Sequence, residues 1–79
     1  MAGFIKTIVV NNKPFDFEFA KIHSPSGLKY FVTVHNDLKM IGSFEMKNGS
    51  SGWSIVPPAP DWVNNLREAL ESAIANNSN

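Results

Sequence analysis

Alternation of apolar and polar residues is clearest at Phe15-Asp16-Phe17-Glu18-Phe19-Ala20, with three phenylalanines on one side and two carboxylates on the other. A period of two marks a strand with one buried face. Phe4 to Val10 precedes this run across Asn11-Asn12-Lys13-Pro14, a turn signal because asparagine tolerates positive φ and proline lacks a ladder donor. Leu28 to His35 follows Ser24-Pro25-Ser26-Gly27 and sets Leu28, Tyr30, Val32 and Val34 against Lys29, Phe31, Thr33 and His35. Lys39 to Met46 alternates Met40, Gly42, Phe44 and Met46 against Ile41, Ser43 and Glu45. The stretch Lys47 to Gly52 reads as a loop, and Trp53 to Val56 as a short fifth strand.

Matching the faces of the third and fourth runs sets Tyr30 opposite Phe44 and Lys29 opposite Glu45. Such a cross-strand charge pair is worth about 0.2–1 kcal/mol. That register requires a three-residue turn, Asn36-Asp37-Leu38. It leaves Leu38 near a position suited to glycine or asparagine.

Pro57-Pro58-Ala59-Pro60 ends the sheet as a stiff connector. A helix is predicted from about Pro60 to about Asn76, with Asp61 at its positive end. Trp62, Leu66, Ala69, Leu70, Ala73 and Ile74 form its apolar stripe, and Asn64, Asn65, Arg67, Glu68, Glu71 and Ser72 the opposite face. Residues 77–79 are expected to fray. The pattern therefore predicts one α+β domain over 1–79: an antiparallel β-meander of four to five strands with one C-terminal amphipathic helix packed on one face.

Composition narrows the function classes. With no cysteine, no disulfide, zinc knuckle or thiol nucleophile enters the argument, and 43% hydrophobic residues must supply the stability. Seven basic and seven acidic side chains balance. That argues against a nucleic-acid binder or a polybasic membrane module, both of which need excess cation. Apolar runs are too short for a membrane span, so a cytoplasmic location is expected.

Candidate chemistry is sparse. His23 and His35 lie far apart in sequence without a converging hydroxyl, and two histidines make a poor metal site. Lys29 to Val34 is aromatic, yet it lacks the glycines of an RNA-binding strand. Gly49 and Gly52 precede no helix and match no phosphate loop. No catalytic residue, cofactor or metal is therefore expected. On the uncovered sheet face, Ile5, Val9, Phe31 and Ile41 are candidate interface residues, and the first strand offers a lightly charged edge. These features favour a small non-enzymatic protein-interaction module, either a homodimer or a binder of another protein. The alternative is a small-ligand groove between helix and sheet, near Trp53 and Trp62.

Overall fold

The computed structural model describes residues 3–25, 27–50 and 52–77. Five strands, β1 (Gly3–Val10), β2 (Lys13–Ser24), β3 (Gly27–Asn36), β4 (Lys39–Gly49) and β5 (Gly52–Val56), form one antiparallel sheet in sequence order. A 3-10 turn, Asp61–Leu66, leads into the helix α1 (Arg67–Asn77). The expected meander with a single C-terminal helix is the observed fold.

Local chemistry explains the hairpins. Val10 pairs with Lys13 around Asn11 and Asn12, which both have positive φ. Two consecutive left-handed residues make the turn whose twist suits a two-residue hairpin, and asparagine bears that conformation cheaply. Because Val10 and Lys13 exchange the turn's hydrogen bonds, the nitrogen of Pro14 points away from β1. It points toward β3, where pairing begins only at Asp16↔His35, so the missing donor costs no ladder bond.

The β3–β4 hairpin departs from expectation. Its turn has two residues, Asp37 and Leu38, both at positive φ, and Asn36 pairs with Lys39. Tyr30 faces Met46 and Val32 faces Phe44, so the expected Tyr30–Phe44 pairing is displaced by two residues. Between Val34↔Gly42 and His35↔Met40 the register shifts, leaving Ile41 as the extra residue of a bulge. Lys29 lies opposite Lys47 and reaches Glu45 diagonally, at 3.5 Å. The predicted charge pair forms, but not as directly opposed residues.

Inward-facing side chains carry the core. Phe17, Phe19, Tyr30, Val32, Val34, Phe44 and Met46 of the sheet are buried against Val63, Leu70, Ala73 and Ile74. The sequence stripe places Ala69 inside and omits Val63; the structure exposes Ala69 and buries Val63. A 3-10 turn has three residues per turn, so Val63 and Leu66 stack on one side and the phase shifts before α1 begins. Val63 N–H donates to Pro60 O at 3.0 Å, closing the first of these turns. Pro60 can approach because position 42 is glycine: a Cβ there would lie 3.3 Å from Pro60 Cγ. At the far end Asn77 stays helical, its Nδ2 donating to Ala73 O at 2.9 Å. The rest of the tail expected to fray, residues 78–79, lies outside the described residues.

Of the loop expected over Lys47 to Gly52, Lys47, Asn48 and Gly49 are strand and Gly52 opens β5, while Ser51 lies outside the described residues. β4 runs on to Gly49, which pairs with Gly52. Likewise β2 extends through His23, which faces Leu28 rather than occupying a turn.

Two stability predictions follow from the backbone and the core. Leu38 combines full exposure (101%) with φ +68°, so its side chain has no packing to offset left-handed strain. Leu38→Gly should stabilise the chain by about 1 kcal/mol and raise Tm by about 4–8 °C, read by thermal unfolding. Leu70→Ala, at a fully buried position, should cost about 2–5 kcal/mol in chemical denaturation.

Candidate functional site

A meander has two edges, and here they are treated differently. On β5 the even-numbered residues pair with β4 (Gly49↔Gly52, Lys47↔Ser54, Glu45↔Val56), so Trp53 and Ile55 turn their backbone groups outward. Helix α1 takes both groups of Trp53. Its N–H donates to Glu71 Oε2 at 2.9 Å, and its carbonyl accepts from Arg67 Nη1 at 3.1 Å. Arg67 and Glu71, one helical turn apart, also pair with each other at 3.3 Å. Position 52 must be glycine for this clamp. Gly52 has φ +110°, and a Cβ would collide with the Glu71 carboxylate.

β1 has no such cover. Its even-numbered residues bond to β2, so Ile5, Thr7 and Val9 direct their amides and carbonyls outward, with no strand beside them among the described residues. The same residues place their side chains on the sheet face away from α1. Ile5 and Val9 are each 66% exposed, and Thr7 Oγ1 donates to Asp16 Oδ1 at 2.7 Å. Lys6 projects from the helix-side face beside Phe4 and Ile8 and stays exposed.

The four interface candidates do not form one patch. Ile5 and Val9 sit on the β1 edge. Phe31, 37% exposed, lies two strands away and lines a cavity with Val56, Pro57 and Pro58. Between them Asp16, Glu18 and Thr33 occupy the outer face. Ile41 leaves that face altogether, because the bulge takes it out of alternation. It lines a cavity with Val10, Phe15 and Trp62 on the helix side. Met40 takes the outer position opposite His35 instead.

The tryptophans are also separated. Trp53 packs on Tyr30 with ring centroids 5.4 Å apart, continuing the group of Phe4, Phe19 and Tyr30. Trp62 packs on Phe15 at 5.4 Å and on Phe17 at 6.2 Å. The cavity at Trp62 does not include Trp53.

His35 Nε2 stands 3.5 Å from Glu18 Oε1, enclosed and without a hydrogen-bond partner. With Ile5, Asp16 and Leu38 this pair lines an outer-face hollow of about 330 Å³. Among the described residues no cluster of three or more potential ligands could hold a metal ion. Nor is any helix there long and apolar enough to cross a membrane. In comparisons with known proteins, no family model, curated protein or solved structure matches this chain.

The clamp makes a direct prediction. Glu71→Ala should cost about 1–2 kcal/mol and speed amide exchange at Trp53 far more than at Phe19. Equal exchange at Trp53 in both proteins would show that the carboxylate does not protect this edge.

Proposed function

We propose that this chain is a cytoplasmic, non-enzymatic interaction module that pairs with a second copy of itself along β1. The observation that supports this reading is the asymmetry of the edges: α1 occupies the backbone groups of Trp53 on β5, while those of Ile5, Thr7 and Val9 on β1 stay open. Charged residues divide Phe31 from Ile5 and Val9 on the outer face, so pairing along the β1 edge engages Ile5 and Val9 without requiring Phe31.

The residues of β1 select a register. Antiparallel pairing of two copies about Thr7 sets Thr7 against Thr7, Ile5 against Val9, Lys6 against Ile8 and Phe4 against Val10. Every outward backbone group from Ile5 to Val9 then finds a partner, and the apolar pairs agree on both faces. Shifting the axis to Lys6 opposes the two ammonium groups, a like-charge contact that disfavours that register. Shifting it to Ile8 shortens the paired segment. Lys6 does not block the favoured register, because the helix-side face beside it is open.

Light scattering over a hundredfold concentration range should show twice the monomer mass, with Ile5→Lys monomeric yet folded by circular dichroism. Directly opposed residues with outward backbone groups lie about 5.5 Å apart between Cα atoms, within disulfide reach. Thr7→Cys should therefore cross-link on oxidation, and Phe31→Cys should not. A monomer at every concentration, or a dimer unaffected by Ile5→Lys, would overturn the proposal.

A further inference from the structure

A second site is built at the end of the sheet that carries the Asn11-Asn12 turn. Val10, Asn11, Lys13, Phe15, Ile41 and Trp62 enclose an open cavity of about 390 Å³, within the size range of small-molecule sites. Three independent backbone features converge on it. The positive φ of Asn11 and Asn12 turns the β1–β2 hairpin so that Val10 and Lys13 stand side by side. The β4 bulge turns Ile41 toward the helix side. Gly42, by admitting Pro60 at close range, fixes the start of the 3-10 segment that carries Trp62.

The walls are apolar and partly aromatic. Phe15 and Trp62 rings pack on each other at 34°, and both residues line the cavity. Phe15 and Trp62 are only half-buried and Ile41 is 43% exposed, so the apolar surface here is not consumed by the core. Polarity comes from the turn alone: the Asn11 amide and the Lys13 ammonium. No acidic residue lines the cavity, and Lys13 has no ion-pair partner among the described residues. The carboxylates of β2, Asp16 and Glu18, belong to the other face of the sheet.

We propose that this cavity binds a small amphipathic carboxylate, with its apolar body between Phe15, Ile41 and Trp62 and its anionic end at Lys13. The charge balance decides the class. A cationic guest meets a like charge at the only ionic side chain in the lining, and a carboxylate gains a modest attraction to the exposed ammonium that a neutral guest lacks. Aromatic walls provide the apolar contact area, while an exposed lysine adds a modest ionic preference rather than tight binding.

The test uses 3-phenylpropionate as probe, with 3-phenylpropan-1-ol and 3-phenylpropylamine as its neutral and cationic counterparts. Amide and indole N–H shifts are followed by two-dimensional NMR up to millimolar concentration. The carboxylate should shift the Trp62 indole and the amides of Val10, Lys13 and Ile41, leaving the Trp53 indole in place. It should bind about two- to fivefold more tightly than the alcohol, and Lys13→Gln should abolish that preference without changing alcohol binding. Trp62→Leu should weaken both, with an unchanged spectrum at β3 showing that the fold is retained. Shifts scattered over the surface, no shift at Trp62, or preference for the amine would each overturn the proposal. Because pairing about Thr7 would bring Phe4 of a second copy opposite Val10, the titration is repeated in Ile5→Lys, where the shifts at Trp62, Lys13 and Ile41 should be the same.

Discussion

One helix both roofs the sheet and caps the Trp53 end of one of its edges, and the geometry of α1 follows from that double task. Its inner side puts Leu70, Ala73 and Ile74 against the phenylalanine-rich face. Its flank carries Arg67 and Glu71 out to the backbone of Trp53. A strand edge with unpaired amides invites another chain, and few side chains could satisfy both groups of one residue from a single helical turn. The arginine–glutamate pair does so with charge-assisted bonds on both sides. Glycine at position 52 is the concession that lets the carboxylate in.

What the helix covers at β5 it cannot cover at β1, four strands away in the sheet order. The aromatic side chains reflect this division. Toward β5, Trp53 stands over Tyr30, with Phe19 and Phe4 behind it. Phe4 lies flat on Phe19, with centroids 4.5 Å apart, and extends the core to the first strand without help from the helix. At the opposite end Trp62 plays the corresponding part for Phe15 and Phe17. Two separate aromatic groups under one short helix give a chain of 79 residues a core broad enough to fold without staples.

The elements were legible because their alternation is strong. β2 announces itself by three phenylalanines at spacing two, and each of them faces the core side. Register was not legible, because it turns on one residue: the bulge at Ile41 leaves no mark in the local pattern. The single clue was Leu38. It fits neither turn well: a three-residue loop sets it near a position suited to glycine or asparagine, and the observed two-residue turn sets both Asp37 and Leu38 at positive φ. Tertiary pairing overrode its local preference and shifted the strands by two residues. The helix start misled in a related way, since a period of 3.6 applied to a 3-10 turn exchanges Val63 for Ala69. At the surface the same bulge separates Ile41 from Phe31, so interface candidates chosen by alternation fall in three places.

Marginal size gives the open edge its energetic meaning. A domain this small retains only a few kcal/mol after chain entropy is met, and much of β1 is stabilised on one side only. An association that binds folded chains and not unfolded ones adds to stability by mass action, in proportion to the logarithm of concentration. The strand that gains most is the one with least intramolecular support. Phe4 and Ile8, half-buried in a single copy, would then have neighbours from the second strand as well as from β2. The face beside Lys6 stays open, so its ammonium would remain hydrated. In the proposed dimer Lys6 would act on register more than on affinity, leaving pairing about Thr7 permitted and making pairing about itself costly.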